Sequence, residues 1–196
     1  MKILLVGATG TLGRGVLEVL RDRGHQVVTA SRKGSDHTVD ILDPDSIGAL
    51  YRAVGPVDAL ASAAGPVPWP PLAELTHQQV LDGLAGKVVS QVELVRQGQA
   101  TVTGSFTLIT GVTSRDPLRT GSVASLANGA VEAFVRAAAI ELDQRINAVS
   151  PTVFTESVEH YGDLFAGIEP VPVRRAALAY VRSIEGHQTG QVYVLD

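Results

Sequence analysis

Apolar residues along the chain follow two patterns that alternate. Short apolar runs bounded by turn residues predict strands at about Ile3–Val6, Gln26–Ala30, Thr38–Asp40, Val57–Ser62, Ser105–Thr110, Arg145–Val149 and Gln191–Leu195. Between them, apolar residues recurring every three or four positions predict helices at about Leu12–Arg23, Asp45–Ala53, Thr76–Gly98, Ser122–Asp143 and Val173–Ile184. Alternating strands and helices imply parallel strands joined by right-handed crossovers. The expected fold class is therefore α/β, a doubly wound, mainly parallel seven-stranded sheet with helices on both faces. In such sheets ligands bind outside the carboxyl ends of the strands. Ser31–His37, between the second and third strands, is too short to hold a crossover helix and reads as a loop. Pro66–Pro71 has four prolines, each lacking an amide donor, and reads as a loop beside the site.

Composition narrows the class. With 196 residues, 45% hydrophobic and 18% charged, residues 1–196 are expected to form one domain with room for a sizeable core. A net charge of -4 gives no global attraction to nucleic acid or an anionic membrane, which leaves small molecules as the favoured partners. Without cysteine there is no disulfide, no thiolate zinc site and no thiol nucleophile. The apolar run at the amino terminus is too short for a signal peptide or a membrane span, so a cytoplasmic location is expected. His25, His37, His77, His160 and His187 are scattered without ligand spacing, and no metal is expected.

The first predicted strand runs into Gly7-Ala8-Thr9-Gly10-Thr11-Leu12-Gly13 and then into an amphipathic helix. That context turns a glycine pattern into a phosphate loop of the dinucleotide-binding, Rossmann type. Gly7 makes the tight turn, Gly10 lets the backbone approach a pyrophosphate, and Gly13 lets helix and strand pack closely, while free helix amides face the anion. At the tip of the second strand an acid would bind the ribose hydroxyls of NAD, and a base would accept the extra phosphate of NADP. The residues there are Ser31, Arg32 and Lys33, so NADP(H) is the expected cofactor, with Arg32 as a bidentate phosphate ligand.

Further segments carry a family resemblance along essentially the whole chain. Asp40 and Ile41 resemble an adenine-contacting Asp-Val/Leu pair, and Ser62-Ala63-Ala64-Gly65 is similar to an Asn-Asn-Ala-Gly strand end. Arg145–Thr152 resembles Arg-Val-Asn-x-Val-x-Pro-Gly with Thr152 in place of the glycine, and Thr189–Asp196 resembles a closing strand. Together these are similar to the short-chain dehydrogenase/reductase family. The resemblance implies cofactor contacts from Gly7, Thr9, Thr11, Leu12, Gly13, Ser31, Arg32, Asp40, Ile41, Ala63, Ala64, Gly65, Lys87, Thr110, Gly111, Pro151, Thr152, Val153 and Thr155. It also implies a homodimer or homotetramer paired through the two long helices. The apolar Val131, Phe134, Val135, Ala138 and Leu142 are expected to exceed what one sheet face covers.

At the family's catalytic positions the sequence departs from the pattern. Gly111, Ala124 and Asn128 align with the Ser, Tyr and Lys, and Lys87 aligns with the Asn of the preceding helix. Lysine and asparagine have thus exchanged places, which resembles an atypical small branch with a lysine on that helix and an Ala-Asn-Gly-Ala run, here Ala127–Ala130. Lys87, Asn128 and Thr113 become the candidate catalytic residues. A lysine acid needs its pKa lowered by burial or a neighbouring charge. A threonine hydroxyl can bind an oxyanion. His160 and Tyr161 fall in a segment resembling a mobile substrate loop, and Trp69 serves either a pocket wall or the core. Three function classes stay open: an NADP(H)-dependent reductase of a small carbonyl or conjugated substrate, a non-catalytic NADP(H) sensor or structural protein, and a non-redox isomerase or dehydratase.

Overall fold

The computed structural model describes residues 1–196. Seven strands form one sheet in the order β3-β2-β1-β4-β5-β6-β7: β1 (Lys2–Val6), β2 (Gln26–Ser31), β3 (His37–Thr38), β4 (Val57–Ser62), β5 (Val102–Ile109), β6 (Arg145–Pro151) and β7 (Val192–Leu195). All pairings are parallel. The helices are α1 (Thr11–Asp22), α2 (Pro44–Val54), α3 (His77–Gly83), α4 (Ser90–Gly98), α5 (Ser122–Ala138) and α6 (Val173–Glu185).

The period of two along each strand divides the core between the two faces. From β1, Ile3 and Leu5 join Val16, Leu20, Tyr180 and Ile184 under α1 and α6. Leu4 and Val6 join Ile47, Tyr51, Leu94, Phe106 and Val135 under α2, α4 and α5. Strands buried on both faces read as near-continuous apolar runs, which is why they were legible in sequence.

Four elements differ from the sequence-based expectation. The third strand, expected at Thr38–Asp40, comprises only His37 and Thr38 and pairs with Ala30 and Ser31. Its short parallel return is held by Asp36, whose carboxylate accepts from the Thr29 amide at 2.9 Å and the Thr29 hydroxyl at 2.8 Å. The strand expected from Ser105 begins at Val102, where a register irregularity lets Gly104 pass close to the Asp58 carbonyl. The helix expected to reach Asp143 ends at Ala138, because Ile140 and Glu141 donate to carbonyls three residues back and tighten the last turn. Finally, Thr76–Gly98 is not one regular helix. It is α3, a π-helical segment at Leu84–Val89, and α4.

The apolar side chains of α5 also lie differently from expectation. Val131, Val135 and Ala138 are buried in the protein's own core, with Phe134 and Leu142 packed against it. The large apolar residues that α3, the π segment and α5 leave exposed are Leu81, Val89 and Leu126.

Candidate functional site

The site lies along the carboxyl ends of β1, β2, β4, β5 and β6. At the end of β1, Gly7 takes φ +85° and donates its amide to the Ala30 carbonyl at 2.8 Å, turning the chain towards α1. A Cβ on Gly13 would collide with the Gly7 carbonyl oxygen, so the close packing of helix on strand requires glycine there. Gly10 precedes the first turn of α1 with no side-chain cap, leaving first-turn amides free.

Two cavities flank this turn and meet at Ala63–Pro66. The first, about 720 Å³, is bordered by Gly7, Thr9, Gly10, Ser31, Arg32, Lys33, Asp40 and Ile41. Thr9 donates its amide to Ser31 Oγ at 3.4 Å, and Asp40 accepts from the Leu42 amide at 3.0 Å. Arg32 and Lys33 are exposed and take part in none of the four ion pairs.

The second cavity, about 460 Å³, is bordered by Leu12, Lys87, Thr110, Gly111, Thr113, Ala124, Asn128, Pro151, Thr152 and Val153. Lys87 is delivered to it by the π-helical segment. Gly86 in that segment packs against the Pro66 carbonyl, and a Cβ on Gly65 would lie 2.7 Å from Lys87 Cδ. The wide turn weakens the regular backbone ladder, and side chains supply further bonds. Ser90 donates to the Gly86 carbonyl at 2.7 Å, while Gln91 donates to the carbonyls of Lys87 and Ile109, both at 2.9 Å. Gln91 Oε1 accepts from the Ile109 amide at 2.8 Å, so the segment is locked to the end of β5. Lys87 is 8% exposed, and burial lowers its pKa from 10.5 to about 8. It has no ion-pair partner in the chain.

Opposite stands Asn128, also buried, whose Nδ2 donates to Thr113 Oγ1 at 2.9 Å. Asn128 Oδ1 and Thr152 Oγ1 are buried without partners. Behind this wall Glu132 Oε1 accepts from Ser114 at 2.7 Å and from Thr110 and Ser150 at 3.2 Å each, and Arg115 donates to Ser150 Oγ at 2.7 Å. This carboxylate ties β5, α5 and β6 together. At the mouth, Trp69 joins Tyr161 and Phe165, whose rings meet edge to face at 5.2 Å.

The fold thus brings Lys87, Asn128 and Thr113 to one cavity and Arg32 and Ser31 to the other. Three expected cofactor residues border neither. Thr11 lines a separate cleft with Arg14 and Glu156, Gly13 is buried in packing, and Thr155 is exposed, its amide donating to the Val171 carbonyl. His160 is exposed and also lies outside both cavities. Glu132 and Gln91 were not found from sequence. Glu132 stands four residues after Asn128 on α5, a spacing that puts the two on one helix face. No group of three His, Asp or Glu side chains converges to hold a metal. No helix is long and apolar enough to cross a membrane.

A nicotinamide dinucleotide fits these features. The two cavities form a bent cleft either side of a glycine turn with free amides. One end carries unpaired cations, and the other carries orphaned polar atoms at Asn128 and Thr152.

A family model described as enoyl-(acyl carrier protein) reductase matches residues 7–179. The human L-xylulose reductase is 26% identical over 178 residues, covering 80% of this chain and 73% of the relative. Among solved structures, the protein lin1944 from Listeria innocua is 44% identical with a TM-score of 0.98, each chain covered in full. A small-chain dehydrogenase in complex with NADPH shares the fold at 24% identity and a TM-score of 0.89, with 100% of this chain and 96% of that one covered. With the parallel sheet, the glycine turn and the cleft at the strand ends, the match over most of its length means that this chain belongs to the short-chain dehydrogenase/reductase family of oxidoreductases.

Proposed function

We propose that the protein is an NADP(H)-dependent reductase of a small carbonyl or conjugated substrate, working without the usual Ser-Tyr-Lys set of its family. The observation that carries this reading is the buried Lys87 amine in one cavity with Asn128 and Thr113, at the far end of the cleft from Arg32. Arg32, aided by Ser31 and Lys33, would hold the adenosine phosphate, and the amides after Gly7 the pyrophosphate. The cofactor, when bound, supplies the hydride.

The chain's own residues then manage charge and protons. Thr113 Oγ1 accepts from Asn128, which leaves the hydroxyl proton free to point at a substrate oxygen. Lys87, with a pKa of about 8, is mostly protonated near neutral pH yet acidic enough to give a proton to an oxyanion as it forms. Gly111, Ala124 and Asn128 stand where the resemblance puts Ser, Tyr and Lys, which leaves Lys87 as the buried acid of the cavity, while the Tyr161 phenol stands exposed at its mouth. Glu132 holds the β5 turn so that Thr113 stays on Asn128.

Calorimetry with NADPH and NADH tests the cofactor half of the reading. Tighter NADPH binding, lost in Arg32→Ala, is expected, and equal or reversed preference would refute it. A carbonyl and enone screen followed by NADPH absorbance tests the reaction. Tight NADPH binding with no turnover across that screen would favour a non-catalytic sensor.

A further inference from the structure

The inner cavity carries an unbalanced charge. Lys87 is the one charged side chain on its wall, among hydroxyls, an amide and apolar groups. No carboxylate reaches it, since Glu132 is held behind the wall by three hydroxyls and the protein's four ion pairs lie elsewhere. A buried ammonium without a counter-ion is unfavourable, and an anion that pairs with it gains accordingly. In the cofactor arrangement proposed above, the phosphates of a dinucleotide lie at the glycine turn and at Arg32, leaving the nicotinamide end without an anion.

We infer that the cleft takes a small carboxylate with an apolar body, its acid group paired with Lys87 and its body against Pro66, Val67, Trp69, Val112 and Phe154. This inference rests on the reading of the cleft as a reductase site, in which the Lys87 ammonium, with three N–H donors, meets both the acid group and the adjacent carbonyl oxygen of the substrate. A carboxylate suits a cavity with a single cation whose other polar lining is uncharged, from Thr110, Thr113, Asn128, Thr152, Ser157 and Tyr161. A phosphate dianion calls for more than one cation, and the cavity supplies one.

Phenylacetate and phenylacetamide, which differ little except in charge, are the probes, titrated by calorimetry into the NADPH-saturated protein. Phenylacetate should bind at least about tenfold more tightly, the usual worth of a charged hydrogen-bonded contact. Lys87→Met should bring the two affinities together by weakening phenylacetate alone. Independently of any variant, the wild-type preference should fade as pH rises through about 8. Equal affinities, no phenylacetate binding, a preference that survives in Lys87→Met, or tighter binding of phenyl phosphate would overturn the inference. Failure of NADPH to bind would count against the reductase reading instead, and the same titrations on the unloaded protein would still decide the carboxylate question.

Discussion

Lys87→Met should make the unliganded protein more stable at neutral pH, which is unusual for a residue placed at the heart of a site. The ammonium is buried beside Gly65 and the π-helical segment with no ion-pair partner, and burial holds its pKa at about 8 instead of 10.5. At 1.36 kcal/mol per tenfold change in proton affinity, that displacement costs the folded state about 3 kcal/mol. The cost is fully present below about pH 8, where the folded amine is still charged, and is relieved as pH rises from there towards the unfolded value. Methionine has similar length, no charge and a flexible thioether that adapts to irregular space.

Urea unfolding of both proteins should therefore show the variant more stable by about 3 kcal/mol near pH 7 and by only about 1 kcal/mol near pH 9.5. Keeping below pH 10 leaves out Tyr51 and Tyr180, whose phenols burial pushes up and which would destabilise the fold at higher pH. A variant less stable than wild type near neutral pH, or a gain that does not shrink with pH, would refute the picture of an uncompensated buried charge.

Three further outcomes follow from the packing. Gly13→Ala drives a Cβ into the Gly7 carbonyl and should cost about 1–3 kcal/mol or more together with cofactor binding, so unchanged urea stability and NADPH affinity would contradict it. Glu132→Leu removes one acceptor from three hydroxyls and should lose about 1–3 kcal/mol, largely recovered in Glu132→Gln, as read from the same unfolding curves. Light scattering should report a homodimer or homotetramer, with Leu126→Arg shifting it towards monomer because Leu126, Leu81 and Val89 are large apolar residues exposed on the helices expected to pair; a monomer at micromolar concentration would contradict this.

Local chemistry was readable from the chain itself. Apolar strands buried on both faces, the Gly7–Gly13 turn before an amphipathic helix, and the absence of an acid at Ser31–Lys33 each depend on residues adjacent in sequence, so their patterns survive without a structure. The same holds for the presence of Lys87 on one helix and Asn128 on another.

What those side chains meet depended on distant contacts. An apolar period runs unbroken through Thr76–Gly98, yet the backbone widens at Leu84–Val89, where Gly86 packs on the Pro66 carbonyl and Gln91 bonds to Ile109. That widened segment carries Lys87 into a buried position on the cavity wall, and periodicity alone cannot distinguish it from a lysine in solvent. Glu132 escaped notice for the same reason, because its three hydroxyl partners come from the end of β5, the turn after it and the end of β6. Where the segment after Pro151 runs is set by the bridge between Phe154 and Val171, which sequence pattern alone does not show. Sequence specifies the charges and hydrogen-bonding groups a chain carries. Burial and partnership, which decide the energy of each group, arise only when the sheet brings together strands separated by tens of residues.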